Sequence, residues 1–397
     1  MEILKFILSI AGFLLFLYMG TYSFYLLVFS IAGRLIKAPT PPVSQKLTRF
    51  IIYICAYKED EILLSSAPAA LSINYPTELF DVCVIADSIK AETVEKLKEM
   101  PLQVLEVKFN SSTKCRALQK AIENTTEGFD AAVIFDIDNI AAPDFLYRLN
   151  DYLQAGHQVV QGHRAAKNID TPIAILDAIS EESNNHLFRR SQQVFGFSAS
   201  LIGSGIALEY NLFKQIMFRL NSVGGFDKEM GLLLALDRIK VAFADNALIY
   251  DEKVSNAAMF KTQRRRWLSA QVSLLYKYAT SGFEELFKGN WDYVNQIYQL
   301  SELPRVMMLG FLPLMLLISC ILPGIIPGWQ WWLASTIGCY AAVLIAIPAS
   351  FINKKLFGAL LRLPVIFFTM FLLLFRLKGA NKKFIHTKHI HTVDKCV

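Results

Sequence analysis

Ala131-Ala132-Val133-Ile134-Phe135-Asp136-Ile137-Asp138-Asn139 runs from an apolar, β-rich pattern straight into two carboxylates one residue apart. A short apolar run of this kind reads as a core strand. In a doubly wound α/β sheet the ligand crevice lies beyond the carboxyl ends of the strands. Asp136 and Asp138 at such an end supply hard oxygen ligands for a divalent cation that arrives with substrate phosphates. A solvated strand end before a loop is the competing account, and the neighbouring segments decide between the two.

Upstream, Phe50 to Ala56 reads as a first strand stopped by Tyr57-Lys58-Glu59-Asp60-Glu61, and Phe80 to Ala86 as a second stopped by Asp87-Ser88. Gln103 to Val107 reads as a third, with helices expected over 92–100 and 114–123. Strand-helix alternation implies a parallel sheet with right-handed crossovers. Tyr57 and Glu59, Asp87, and the Asp136/Asp138 pair are therefore expected along one sheet edge, where a nucleotide would bind. Glu59 to Glu61 also suit the first turn of a helix through its dipole. No G-x-G-x-x-G follows a strand and no P-loop is present, which counts against ordinary dinucleotide and ATPase sites. A nucleotide would instead be held by carboxylate-to-ribose bonds, the metal, and a cation on the diphosphate. Lys114 is the candidate cation, with a solvated lysine at a helix start as the alternative.

The 397-residue chain also carries membrane segments. No charge lies between Lys5 and Arg34, a run longer than the ~20 apolar residues of a bilayer span and too long for a cleaved signal peptide. Residues 1–34 are thus expected to be an anchor. Arg305 to Lys354 is charge-free and broken near Pro323 to Gly328, beside Trp329, Trp331 and Trp332, which reads as two spans joined by a tight turn with Trp at an interface. Leu363 to Phe375 is shorter, contains Pro364, and reads as re-entrant, tilted or in-plane. Arg34, Lys37, Arg305, Lys354 and Lys355 flank these runs on one side, so the positive-inside rule puts a body over 35–304 in the cytoplasm of a multi-pass cell-membrane protein. A membrane region covers 305–375, and a basic tail over 376–397 is expected on the cytoplasmic side.

The net charge of +6 sits largely near the spans and fits a lipid bilayer surface, with no nucleic-acid partner implied. Six cysteines without C-x-x-C spacing read as reduced thiols. The lack of ionisable residues inside the spans counts against a transporter.

Five short motifs in order carry a resemblance: Ala56-Tyr57-Lys58-Glu59, Ile85-Ala86-Asp87-Ser88, Lys114-Cys115-Arg116-Ala117-Leu118, Asp136-Ile137-Asp138, and Gln263-Arg264-Arg265-Arg266-Trp267. Over about residues 48–270 the chain resembles membrane-bound glycosyltransferase family 2, the group of cellulose, chitin and hyaluronan synthases and many bacterial polysaccharide enzymes. The resemblance implies an α/β fold of GT-A type, a nucleotide-binding, mostly parallel sheet flanked by helices. It implies inverting transfer of a sugar from a nucleotide-diphosphate sugar, expected to be a UDP-sugar, to a glycan or lipid-linked acceptor, with Mg²⁺ or Mn²⁺ as cofactor.

By position, the resemblance implies that Tyr57 and Glu59 frame the base and ribose, Asp87 binds the nucleoside, and Lys114 approaches the diphosphate. It makes Asp136 and Asp138 the D-x-D pair, with Asp138 the direct metal ligand. Gln263, Arg266 and Trp267 match Q-x-x-R-W at the acceptor and diphosphate end. Negative charge accumulates on a departing diphosphate, where a metal and an arginine fork stabilise it. Arg264 and Arg265 read as a basic collar at the membrane surface.

The family's acidic pair at a helix head falls on Phe226-Asp227. Asp227 is then the base that activates the acceptor, and Phe226 departs from the family's glutamate. Glu229 is the runner-up base, and a helix N-cap is the other reading of Asp227. Gly203-Ser204-Gly205 reads as a passage for substrate past the backbone or as an ordinary turn. Asp251-Glu252-Lys253 stands where relatives carry a His motif, so no histidine metal ligand is expected there. His386, His389 and His391 are not expected to form a metal cluster, and Phe384-Ile385-His386-Thr387 resembles a motif ending some relatives. Q-x-x-R-W accompanies processive polymerases, yet only two clear spans follow the body, so single transfer or an export partner stays open. The alternative is a catalytically silent, nucleotide- or glycan-binding subunit of a synthase complex.

Overall fold

Side chains alternating between two buried faces build the central sheet. In the strand Phe50–Tyr57, Ile51 and Tyr53 pack on one face with Leu118, Ala121 and Phe213. Phe50, Ile52 and Ile54 pack on the other with Leu63 and Ala67. Burial on both faces is why the strand reads as an unbroken apolar run, and each such large side chain contributes about 1.5–3 kcal/mol.

The computed structural model describes residues 2–126 and 128–377; the tail histidines and Phe384 to Thr387 lie outside them. Among the described residues the strands are β1 (Phe50–Tyr57), β2 (Phe80–Asp87), β3 (Gln103–Val107), β4 (Ala131–Asp136), β5 (Ile140–Ala141), β6 (Val159–Ala166), β7 (Ile206–Glu209) and β8 (Val241–Asp251). They form one sheet in the order β3-β2-β1-β4-β7-β6-β8-β5. The β1–β2, β1–β4, β2–β3 and β6–β8 pairs are parallel, whereas β7 runs antiparallel to both β4 and β6, and β5 to β8. The α/β class and mostly parallel sheet are as expected. The reversed β7 is the addition: only four residues long, it offers too little periodicity to be read from sequence.

The helix Glu2–Leu35 is, among the described residues, the one helix long and apolar enough by itself to cross a membrane. The expected second and third spans appear as helices Arg305–Ile321 and Trp329–Ala346. Arg305–Ile321 qualifies only together with Trp291–Leu300, to which it is bent by 72°, and Lys354–Leu360 likewise with Leu363–Leu374 at 44°. Pro304, without an N–H to donate, stands at the first of these bends. Trp329–Ala346 packs along the first helix, with Phe16 edge-on to Trp332 at 5.2 Å and Ser30 Oγ donating to Ala342 O at 2.8 Å.

Candidate active site at the strand ends

The parallel register fixes what stands at the carboxyl edge. Tyr57 pairs with Asp87 and Asp87 with Val107, while Cys55 pairs with Asp136. Immediately beyond, Lys58 and Ser88 both adopt φ of 58°, an uncommon conformation for residues other than glycine. Lys58 N donates to Asp87 O at 3.3 Å and Ser88 N to Val107 O at 3.3 Å. Two matched left-handed turns thus present Tyr57 and Asp87 side by side. Asp87 is buried and accepts from Ser88 Oγ at 2.9 Å. Glu59 is buried at the N-cap of the helix Asp60–Leu71.

At the end of β4 the chain turns tightly. Asn139 N donates to Asp136 O at 3.1 Å, and Asp136 N donates to Asn139 Oδ1 at 2.9 Å. Asp138 is 4% exposed, and its Oδ2 accepts from Glu252 N at 2.7 Å, just past the end of β8. Asp136 is paired with Lys114, whose ammonium also donates to Gly203 O at 2.7 Å. Burial works against the Lys114 charge, but Asp136 foremost outweighs it, and the group titrates above its ordinary value.

Gly203 (φ +84°) closes this side. A side-chain carbon there would stand 3.6 Å from the Phe226 ring and 3.8 Å from the Asp227 carboxylate. At Gly205 (φ +64°) such a carbon would lie 2.7 Å from Ile249 Cγ2. The backbone conformation favours glycine at both positions, and at Gly205 the space demands it as well. Lys114 Nζ sits 5.2 Å from the Phe226 ring centroid. Burial pulls Arg266 below its ordinary value, with the charges of Asp136 and Asp227 opposing the shift. Lys114, Asp136, Gly203, Asp227 and Arg266 thus form one electrostatic cluster.

The N-cap reading of Asp227 does not hold. Gly225 (φ +74°) is the N-cap of the helix Phe226–Leu236, and Asp227 lies within its first turn. Glu229 is 1% exposed, and its Oε1 accepts from Lys277 at 2.5 Å and Tyr278 at 2.8 Å, while its Oε2 is buried without a hydrogen-bond partner. Of the Gln263 to Trp267 motif, Gln263 Oε1 is buried without a hydrogen-bond partner, as is Ser204 Oγ. Trp267 is 36% exposed and lies under Arg264 at 4.6 Å. Arg264 is paired with Asp177 and largely covered, so it is held by the protein rather than offered as a surface collar.

Sequence reasoning missed the buried ion network behind Gly203. Arg164 pairs with Glu181 at 2.8 Å and Asp251 at 3.3 Å, Arg189 with Glu181 at 3.2 Å, and Lys253 with Asp251 at 2.5 Å. Burial alone would raise the Glu181 carboxyl, yet Arg164, Lys253 and Arg189 hold it well below its ordinary range. Arg164 donates to Ile202 O at 3.1 Å and Arg189 to Ser200 O at 3.0 Å, so the network shapes the 200–205 passage. Its members come from four separate elements, and no local pattern marks them.

The arrangement offers hard oxygens, two cations and a carboxylate facing one crevice. Residues 48–270 match the family described as "Glycosyltransferase like family 2". Glucomannan 4-beta-mannosyltransferase 7 of Arabidopsis thaliana is 23% identical over 247 residues, 58% of this chain and 44% of its own length. Glucomannan 4-beta-mannosyltransferase 1 of Cyamopsis tetragonoloba is 22% identical over 253 residues, 59% of this chain and 47% of its own. The chain therefore spans about half the length of these relatives. Among solved structures, a mannosyltransferase from Pyrobaculum calidifontis in complex with GDP-Man and Mn²⁺ aligns with a TM-score of 0.49 at 13% identity, over 82% of this chain and 98% of that one. Glucosyl-3-phosphoglycerate synthase from Mycobacterium tuberculosis, in complex with Mn²⁺, UDP and phosphoglyceric acid, aligns at 0.40 and 16%, over 57% and 78%.

Proposed function

Because this chain belongs to glycosyltransferase like family 2 through residues 48–270, we propose that it moves a sugar from a nucleotide-diphosphate sugar to a glycan or lipid-linked acceptor at the cytoplasmic face of a membrane, with inversion. The acceptor oxygen attacks the anomeric carbon, the bond from that carbon to the diphosphate breaks, and its electron pair leaves with the diphosphate. Asp227 takes the hydroxyl proton. Arg266 and Lys114 meet the charge that grows on the leaving group. Tyr57, Glu59 and Asp87 hold the nucleoside, and Gln263 and Trp267 stand toward the acceptor.

The donor set fits a divalent cation. Asp136 and Asp138 are hard carboxylate oxygens on one tight turn, the ligands such an ion takes when it shares substrate phosphates. Lys114 already claims Asp136, so Asp138 is the direct ligand in this reading. When bound, Mg²⁺ or Mn²⁺ would supply Lewis-acid stabilisation of the diphosphate.

The observation that carries the reading is Lys114 tying Asp136 to Gly203, with Asp227 across the glycine. That geometry supports reading Asp136 as a metal carboxylate, Lys114 as a phosphate cation and Asp227 as a base. Phe226, in place of a second acid, packs its ring against Lys114 and leaves Asp227 as the base. UDP-sugars are the expected donors, and the relatives named as mannosyltransferases add nucleotide-activated mannose to the set worth testing. The test is a screen of UDP- and GDP-sugars with the purified full chain for Mn²⁺-dependent release of free nucleoside diphosphate. Release from one preferred donor supports the reading, and no release from any donor overturns it.

A further inference from the structure

Two backbone atoms, one on each wall of the strand-end crevice, hold its charged groups. On one side Gly203 O accepts from Lys114, and on the other Glu252 N donates to Asp138 Oδ2. Between these walls runs β6, paired antiparallel with β7 and parallel with β8. It carries Arg164.

Arg164 reaches both walls with one guanidinium. Its Nη1 donates to Ile202 O at 3.1 Å, one residue before Gly203, and its Nε lies 3.3 Å from Asp251 Oδ2, one residue before Glu252. Its Nη2 donates to Glu181 Oε2 at 2.8 Å and steadies the fork from behind. Burial works against this charge, but Asp251 and Glu181 outweigh it and hold the group well above its ordinary value.

The other anchors of the passage act elsewhere. Gln161, also on β6, accepts from Ile202 N at 3.0 Å and donates to Ser204 O at 2.9 Å. Arg189 donates to Ser200 O at 3.0 Å, and Ser200 Oγ donates to Gln299, whose Nε2 donates to Tyr25 OH of the helix Glu2–Leu35 at 3.1 Å. These bonds place the passage against β6 and the helices, whereas the Arg164 fork also sets its distance from the end of β8.

We infer that Arg164 is a positioning residue of the donor site: by fixing Ile202 and Asp251 together it sets the spacing of the Gly203 carbonyl and the Glu252 N–H, and through them of Lys114 and Asp138. The inference rests on reading Asp138 as the metal ligand and Lys114 as the diphosphate cation. A metal that shares substrate phosphates needs its carboxylate and the neighbouring cation at a fixed separation, and groups that orient such ligands account for about 10–100-fold in metal affinity. Arginine suits the place because its rigid planar fork carries five donors and can hold several partners at once, unlike the ammonium of lysine on its flexible stem.

The test is calorimetric binding of UDP and GDP, with and without Mn²⁺, to the full chain in detergent, for wild type, Arg164→Lys, Arg164→Gln and Arg189→Gln. The readout is the factor by which Mn²⁺ tightens the nucleotide, which a loss of stability alone does not move while the chain stays folded. That factor is expected to fall about tenfold or more in Arg164→Gln, and by less in Arg164→Lys, which keeps the charge and loses the fork. Arg189→Gln breaks the same buried network away from β8, so it should lower the thermal midpoint and keep the wild-type factor. A wild-type factor in Arg164→Gln, or an equal fall in Arg189→Gln, overturns the inference. A factor that rises in Arg164→Gln and is unchanged in Arg164→Lys also overturns it, since Arg164 would then be a charge opposing the metal. If Arg164→Gln does not fold, Arg164→Lys decides by the same criterion. Absence of any Mn²⁺ effect in wild type overturns the reading of Asp138 itself, independently of the variants.

Discussion

The three candidate carboxylates face different neighbours, and those neighbours separate their proposed roles. Asp136 is matched by Lys114, Asp138 is buried against the Glu252 N–H, and Asp227 lies across the glycine at a helix start. Asp227→Asn should lower kcat by about 10²–10⁴-fold, the usual share of a general base, with little change in donor KM. Steady-state kinetics would instead point to a donor-binding role if KM rose and kcat held. The place of Asp136 and Asp138 at a strand end was legible because the geometry is local, one turn closed by two hydrogen bonds between Asp136 and Asn139. The helix start at Gly225 was half legible. The Gly-Gly turn was visible, but which residue caps depends on the φ of +74° that only the fold sets.

At the scale of elements, the 200–205 passage is held from behind by charges and from the membrane side by Tyr25. Arg189 is 2% exposed, and Arg189→Ala leaves Glu181 short of a partner in a buried network. Such a break costs about 3–5 kcal/mol, so a clear drop in the thermal midpoint is expected, and an unchanged midpoint would make the network dispensable. Tyr25→Phe removes a hydroxyl shared by Asn295, Gln192 and Gln299, so a lowered thermal midpoint is expected, and an unchanged one would make the brace dispensable. His163 gives the pH dependence. It donates toward Asp245 at 2.9 Å and Glu182 at 3.2 Å, with Arg190 also on Asp245. Burial opposes its charge, but hydrogen bonds to those carboxylates prevail and push it up to about 9 from 6.5. The folded value is the higher one, so its stabilisation is complete below about pH 6.5 and fades as pH rises through about 9. The stability gap between wild type and His163→Gln should close across that window; a gap flat with pH would contradict the assignment. Strands β1 to β4 were legible to within a residue or two: burial imposes an unbroken apolar run between polar stops on β1, β2 and β4, and the half-exposed β3 still shows a short β-rich run. The antiparallel β7 and the Arg164–Glu181–Arg189 network were not, since a four-residue strand and charges drawn from distant segments leave no periodic trace.

Across the whole molecule, the α/β body and the apolar helices are packed together. Tyr22 stacks on Tyr298 at 4.3 Å, and His186 contacts Ser30 O at 2.9 Å. An orientation with the body in the cytoplasm puts the turn after Arg305–Ile321 on the opposite side. Cys320 is exposed near that turn, whereas Cys83, Cys115 and Cys339 are buried. In a Cys396→Ser chain, a membrane-impermeant maleimide should label Cys320 in intact cells; labelling only after permeabilisation would reverse the orientation. The central claim remains the strand-end crevice as a metal-assisted nucleotide-sugar site. Calorimetric binding of UDP and GDP with and without Mn²⁺, to wild type and to Asp138→Ala, tests it most directly. Mn²⁺ should tighten nucleotide binding by wild type and leave Asp138→Ala unaffected, whereas equal tightening in both proteins would contradict the account.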